Sequence, residues 1–221
     1  MTNSDSDGLF DSDWEDRGEL AWTELDWQKY LGAQEAAVHE YIKHYDQIPS
    51  AIDRVDEAAR RMGWEMADNG EETGEAEAED LFDGEWDPCT LHRNPVYIST
   101  RALYVSLLAR WERLAIQPDR VPAALGISLQ ALLYRGNEQA LQAVQALEMG
   151  DYTLAVCLFK RALRELNLTL ARLGQPDVAA SPSALRYRDY ALPRLFDLRE
   201  IWLRVMNECR LNEDLDDSLP E

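Results

Sequence analysis

The strongest helical pattern in the chain is NPVYISTRALYVSLLARWERLAIQ, residues 94–117. Asn94 is a good N-cap, and Pro95 suits the first helical position because the N–H that proline lacks would be unpaired there anyway. Apolar side chains then recur every three to four residues until Pro118 ends the pattern. The stripe consists of Tyr97, Leu103, Tyr104, Leu107, Leu108, Trp111 and Leu114. This spacing predicts a long helix in the core of an all-α protein.

Three more helices are predicted after this one. Ser128 can cap a helix that stops at Gly150, and Asp151 can cap the next, which stops at Gly174. The last helix is expected over about 183–211, with a break or restart at Pro193 because proline removes a backbone hydrogen bond. No segment of the sequence shows the two-residue alternation of a strand. Residues 95–211 are therefore expected to form the core of a helical bundle.

A helical hairpin is predicted before this core, over residues 23–63. Thr23 followed by Asp26 is close to a capping box, and the helical period continues from there to about residue 46. Ser50 with Asp53 can start a second helix, which Gly63 closes. The expected fold is thus an all-α bundle of five to six helices, with the hairpin packed on the core.

The negative charge of the protein is concentrated near the ends of the chain. The 221 residues carry a formal net charge of −20. Residues 1–95 contain 26 acidic and 7 basic side chains, a net charge of −19, whereas residues 96–211 contain 11 acidic and 15 basic ones, a net charge of +4. High charge with little apolar content predicts a disordered acidic tail over 1–22, a flexible acidic linker over 64–94 and an acidic tail over 212–221.

The composition argues against several classes of protein. Uninterrupted apolar runs are far shorter than the roughly 20 residues of a membrane-spanning helix, so no transmembrane segment is expected. The acidic start differs from a secretory signal, and Cys89, Cys157 and Cys209 are too few and too scattered for a disulfide framework. Both observations favour the cytoplasm. Repulsion from phosphate at this net charge argues against nucleic-acid binding.

One local pattern contains a turn glycine followed by small and aromatic residues on a helix. Its members are Gly150, Asp151, Tyr152, Ala155, Phe159, Ala162 and Leu163. They resemble the second half of a tetratricopeptide repeat, in which a glycine turn joins two antiparallel helices and small residues let the helices approach. Ile116 and Ala184 replace the glycine 34 residues away on either side, so we interpret the pattern as an ordinary αα-hairpin.

The sequence contains no catalytic fingerprint, such as a nucleophile elbow, a phosphate-binding glycine loop or a zinc-protease helix. Glu35, His39 and His44 on the first helix are the best candidates for metal ligands. Glu35 and His39 share a helix face, but the two histidines lie about 140° apart around the helix. No cofactor is therefore expected. A helical-bundle enzyme or binding protein with a metal or small ligand between its helices is kept as the alternative function.

Two groups of residues are candidates for binding a partner. Arg186, Arg188 and Arg199 recur along the last predicted helix and could form a patch for phosphate or for an acidic partner. Trp14 and Trp86 lie among acidic residues, as aromatic side chains do in segments that fold on binding. We hypothesise a non-catalytic interaction or regulatory protein whose acidic segments engage a basic partner or the protein's own basic helix.

Overall fold

The computed structural model describes residues 22–48, 53–64, 91 and 93–216, and all regular secondary structure in these ranges is helical. The prediction of an all-α helical bundle is thereby confirmed. The helices are α1 (Glu24–Gln47), α2 (Arg54–Arg61), α3 (Pro95–Ala115), α4 (Ala123–Glu148), α5 (Tyr152–Leu173), α6 (Pro176–Ala180) and α7 (Pro182–Asp216). The described ranges hold more helices than expected because α6, a single short turn that begins at Pro176, was not predicted.

The core is a ring of four helices in which α3 packs on α4, α4 on α5, α5 on α7, and α7 back on α3. The α4–α5 pair has the most extensive contact of all. Its buried residues include alanines on both helices, which lets the two backbones approach closely. These alanines are Ala140, Ala143 and Ala146 on α4, and Ala155 and Ala162 on α5. Gly150 closes the turn between the two helices with a φ of +76°, a backbone conformation that favours glycine.

The helix α3 lies at the centre of the fold, as its periodic stripe predicts. Asn94 caps it by accepting a hydrogen bond from the Tyr97 amide at 2.8 Å. Trp111 is fully buried, and its indole donates to the Gly126 carbonyl of α4 at 3.1 Å. Gly136 of α4 faces Tyr104 so closely that a Cβ at position 136 would lie 2.5 Å from the tyrosine hydroxyl oxygen. The contact between α3 and α4 therefore depends on a residue without a side chain.

The helices α1 and α2 cover one side of the ring. The Thr23–Asp26 capping box at the start of α1 is present as predicted. Helix α1 packs against α3 and α2, and α2 also touches α7. Tyr41 and Tyr45 of α1 are buried, and the Trp64 ring stacks on Tyr41 with 5.6 Å between centroids. The division of the chain into tails, hairpin, linker and core stays a prediction, because most of the acidic segments lie outside the described residues.

Helix α7 runs without interruption from Pro182 to Asp216, so the predicted break at Pro193 is wrong. Proline cannot donate a hydrogen bond to the carbonyl four residues earlier, which weakens one turn of the helix. Two features hold the helix together there. Ala191 and Leu195 are fully buried in the core on either side of the proline, and the Arg194 guanidinium donates to the Tyr190 carbonyl at 3.1 Å.

The start of α4 also differs from its prediction. The helix begins at Ala123, and Ser128 is an interior residue whose hydroxyl donates to the Leu125 carbonyl at 3.2 Å. Because Leu125 and Gly126 are buried against α3, packing extends the helix beyond the serine that the sequence marked as its cap. Across the described ranges, no helix is both long enough and apolar enough to cross a membrane.

Candidate anion-binding site

The structure separates the residues that were predicted to bind a partner. Arg186 lies in a cleft near the start of α7, whereas Arg188 bonds to the neighbouring Asp189 at 3.0 Å and Arg199 is exposed further along the helix. Trp14 and Trp86 lie outside the described residues. Of the three arginines, which all lie within the described ranges, Arg186 alone lines a cleft.

The candidate metal ligands do not converge. His39 Nδ1 lies 2.8 Å from the backbone carbonyl of Glu35, rather than from its carboxylate. His44 faces Glu40 at 3.7 Å on another side of the same helix. Within the ranges that the structure describes, no three side chains of histidine, cysteine, aspartate or glutamate are grouped as metal ligands would be. His39 instead contributes to the wall of the cleft that holds Arg186.

This cleft has a volume of about 600 Å³ and lies between α1, α3 and the first turns of α7. The helix α1 contributes His39, Ile42 and Asp46; α3 and the turn after it contribute Val105, Ser106, Ala109, Arg110, Arg113, Leu114, Gln117 and Arg120; α7 contributes Ser183, Arg186, Tyr187 and Tyr190. We call it the arginine cleft, after Arg110, Arg113, Arg120 and Arg186.

Helical spacing explains how distant parts of the sequence line one cleft. On α3, Ser106, Arg110 and Arg113 follow one another at intervals of three or four residues, so they share one face. Gln117, in the turn after the helix, continues this row and donates to the Arg113 carbonyl at 2.8 Å. The buried stripe of the same helix faces the ring of core helices. Arg120 is placed by the turn after α3, where its carbonyl accepts a hydrogen bond from the Ser181 hydroxyl at 2.6 Å. The cleft is thus the polar side of a core helix, completed by two neighbours.

The four arginines of the cleft form no ion pair in the part of the chain that the structure describes. Arg110 lies over the Tyr190 ring, 4.1 Å from its centroid, and Arg113 Nε donates to the carbonyl of Ala109 in its own helix at 3.0 Å. Arg186 donates to the Ser183 hydroxyl at 3.3 Å. Guanidinium groups held in this way retain several N–H donors for an incoming anion.

Asp46 is the only carboxylate among the cleft's lining residues, and it is already paired with Arg194. It therefore does little to cancel the charge of the four arginines. In a protein of net charge −20, the lining of the cleft thus carries charge of the opposite sign.

Three apolar side chains of the arginine cleft, Ile42, Val105 and Leu114, also pack against the buried core, and we call them the floor of the cleft. Tyr187 also lines the cleft, is buried, and donates its hydroxyl hydrogen to the Leu107 carbonyl at 3.1 Å. Burial raises the pKa of Tyr187 well above its usual value, so the phenol stays neutral and gives the floor no charge. An apolar floor under a basic rim suits a ligand that is itself both acidic and apolar.

Alternating arginine and tyrosine side chains connect the cleft to the α1–α2 hairpin. We call this row the arginine–tyrosine ladder, and its members are Arg110, Tyr190, Arg194, Tyr45 and Arg54. Arg194 is 7% exposed, and its guanidinium lies 3.6 Å from the Tyr190 centroid and 5.3 Å from that of Tyr45. Arg54 lies 4.9 Å from the Tyr45 centroid and donates to its hydroxyl oxygen at 3.0 Å. Each such contact contributes roughly 0.5–2 kcal/mol, so the ladder fixes one wall of the cleft.

The ladder ends on a partly buried carboxylate. The Tyr45 hydroxyl donates a hydrogen bond to Asp197 of α7. Burial raises the pKa of Asp197, while the bond from Tyr45 and the charges of Arg54 and Arg194 oppose this rise. The carboxylate lies on α7 beside α1, and it anchors the ladder rather than facing a ligand.

The sequence did not single out Arg110, Arg113 or Arg120. The sequence signal for Arg110 and Arg113 is their spacing of three residues on the polar side of the strongest predicted helix. This spacing is not distinctive, because exposed arginines are common on amphipathic helices. The cleft can be recognised only once α1 and α7 are placed beside α3.

No protein-family model matches this chain, and neither the curated proteins nor the solved structures contain a significant match to it.

Proposed function

We propose that this protein is a cytoplasmic, non-catalytic interaction protein whose arginine cleft binds an acidic segment of a protein partner. The observation that carries the proposal is the convergence of four arginines on an apolar floor, in a chain of net charge −20. None of the four has a carboxylate partner among the described residues. The negative charge lies mainly in residues 1–95, whereas the cleft presents four arginines to an acidic partner. Complementary charge at the cleft favours a specific encounter.

The dimensions and lining of the cleft support a peptide as its ligand. Its volume of about 600 Å³ lies within the range of ordinary ligand sites and accommodates a few side chains. The guanidinium groups can hold carboxylates in two-point contacts, and Ile42, Val105 and Leu114 can cover an apolar side chain between them.

The proposal is tested by the binding of a fluorescein-labelled hexaglutamate peptide to the full chain, followed by anisotropy at low salt. Arg110→Glu with Arg113→Glu should weaken binding at least tenfold, because two donors are replaced by repelling charges. The matched control is Arg161→Glu with Arg164→Glu, two exposed arginines of α5 with the same spacing, no ion pair in the described residues and the same change in net charge. The control should change affinity less than twofold.

Two results would overturn the proposal. Equal losses for the two double variants would mean that net charge alone attracts the peptide. Displacement of the peptide by inorganic phosphate at constant ionic strength would assign the cleft to a small anion instead, which is the small-ligand form of the alternative function.

A second function is suggested by the charge and aromatic content of residues 1–95, whose net charge is −19. The acidic segments that contain Trp14 and Trp86 would then bind a basic partner. Binding of a labelled hexalysine peptide tests this. If the tryptophans are docking residues, Trp14→Ala with Trp86→Ala should weaken binding without any change in charge. Unchanged affinity would leave only non-specific attraction between opposite charges.

A further inference from the structure

A short sequence pattern occurs twice in the acidic part of the chain. Residues 9–15 read LFDSDWE, and residues 81–87 read LFDGEWD. Leucine, phenylalanine, aspartate and tryptophan recur at the same positions, and the two remaining acidic positions are conservatively exchanged between Asp and Glu. Both copies lie outside the described residues. The repetition of three large apolar residues among three acids is more specific than acidic composition alone.

The chemistry of this pattern is complementary to the arginine cleft. The acids of residues 81–87 are Asp83, Glu85 and Asp87, and the cleft offers four guanidiniums that have no carboxylate partner among the described residues. The apolar side chains Leu81, Phe82 and Trp86 match a floor of Ile42, Val105 and Leu114. Tyrosine and arginine at the rim also suit an indole ring, since guanidinium groups stack on aromatic faces.

We propose that residues 81–87 of the same chain bind in the arginine cleft, and this inference rests on the proposed function of that cleft. A partner with a similar acidic and aromatic segment would compete with residues 81–87 for the site. An intramolecular segment acts at an effective concentration of about a millimolar for a short connection, so even weak contacts can occupy the cleft.

The length of the connecting chain permits this binding. Leu91 packs against the core, and α3 begins at Pro95. Arg110 and Arg113 lie 15 and 18 residues into α3, which is about 22 and 27 Å along the helix. Trp86 precedes Leu91 by five residues and Phe82 precedes it by nine, and an extended chain covers up to about 3.4 Å per residue, or roughly 17 and 31 Å. Phe82 can therefore reach back beside α3 as far as both arginines. Trp86 reaches the level of Val105, which lies 10 residues, or about 15 Å, into the helix.

The copy at residues 9–15 provides a matched control because it has nearly the same sequence and a different attachment to the fold. The experiment measures binding of the labelled hexaglutamate peptide to three full chains. These are the wild type, the triple variant Leu81→Ala, Phe82→Ala and Trp86→Ala, and the triple variant Leu9→Ala, Phe10→Ala and Trp14→Ala. All three have the same net charge.

If residues 81–87 occupy the cleft, loss of their apolar anchors should free it and raise the affinity for hexaglutamate at least fivefold. The variant at residues 9, 10 and 14 should bind like the wild type. Adding Arg110→Glu with Arg113→Glu should abolish the gain, because both ligands use the same arginines.

The other outcomes are distinguishable. If the variant at residues 81, 82 and 86 binds with unchanged affinity, and binding still depends on the cleft arginines, residues 81–87 do not occupy the cleft and the proposed function stands. If only the variant at residues 9, 10 and 14 gains affinity, residues 9–15 occupy the cleft and this proposal is also overturned. Absence of binding to all three chains contradicts the proposed function itself.

Photo-crosslinking gives a readout that does not depend on affinity. The variant Phe82→p-benzoylphenylalanine should form crosslinks within one chain to α1, α3 or α7 at the cleft, identified by mass spectrometry. The same substitution at Phe10 should give a different set of crosslinks. Crosslinks from position 82 to α4 or α5, or a covalent dimer, would show that the segment binds elsewhere or in a second copy.

Discussion

Between α4 and α5 the buried residues are mainly alanine and leucine, whereas the contact between α1 and α7 is made by arginine, tyrosine and aspartate. Ala143 of α4 is fully buried on the first side, and so is Phe159 of α5, whose ring also meets Trp202 of α7. On the second, Tyr45 bonds to Asp197, and Asp46 to Arg194. The apolar contact requires only shape, while the polar contact requires charge, hydrogen-bond geometry and protonation state together. The binding cleft is found beside the polar contact, where groups with spare donors are already held in place.

The largest effect expected from this comparison is in the apolar contact. Phe159→Ala should lower the free energy of unfolding by about 3–5 kcal/mol, because a fully buried aromatic side chain is removed from packed surroundings and leaves a cavity. Urea denaturation measures this loss. Leu154→Ala, at a largely exposed position on the same helix, should cost less than about 1 kcal/mol. Similar losses for the two variants would mean that Phe159 is not closely packed in the core.

A smaller effect is expected in the ladder. Arg194→Ala should lower the free energy of unfolding by about 1–3 kcal/mol, since two ring contacts and a largely buried guanidinium are lost. Arg194→Lys keeps the charge but not the planar group that stacks on the rings. It should recover less than half of the loss. Full recovery by lysine would show that charge, rather than stacking, stabilises this contact.

The smallest effect expected is a pH dependence confined to the polar contact. Because the folded pKa of Asp197 is raised, the folded state binds this proton more tightly than the unfolded state does. The contribution of protonated Asp197 to stability is therefore greatest at low pH, and it is lost as the pH rises from the unfolded pKa through the folded pKa. The difference in unfolding free energy between the wild type and Asp197→Asn should fall over that window. A difference that rises with pH would mean that the arginines outweigh burial at this carboxylate.

These two regions also differ in how well the sequence predicts them. The apolar region follows from periodicity, since Leu103, Leu107 and Trp111 recur on one face and Gly150 closes a turn that only glycine adopts easily. Helix ends follow less directly from the sequence, since Ser128 is a good cap by type, yet burial of Leu125 extends α4 past it. Pro193 is a local signal for a break that buried neighbours override.

The polar region was predicted only in part. Arg186 was singled out, but Arg188 and Arg199 on the same helix do not line the cleft. A list of arginines does not reveal which of them have carboxylate partners, because Asp46 and Asp56 reach Arg194 and Arg204 from other helices. Such pairings depend on how α1 and α2 lie against α7, which no local pattern specifies.

The close approach of Gly136 to Tyr104 constrains the order in which this protein can evolve. Any side chain at position 136 meets the phenolic hydroxyl of Tyr104 while that hydroxyl is present. Phenylalanine at position 104 removes the oxygen, after which the nearest ring atom would lie 3.3 Å from a new Cβ and only a small shift of the ring is still required. A lineage that loses the hydroxyl first therefore meets a smaller clash when alanine follows at position 136, whereas the reverse order passes through a more destabilised intermediate. Two residues on different helices thus share one history, and substitutions at either site are informative only when read with the other.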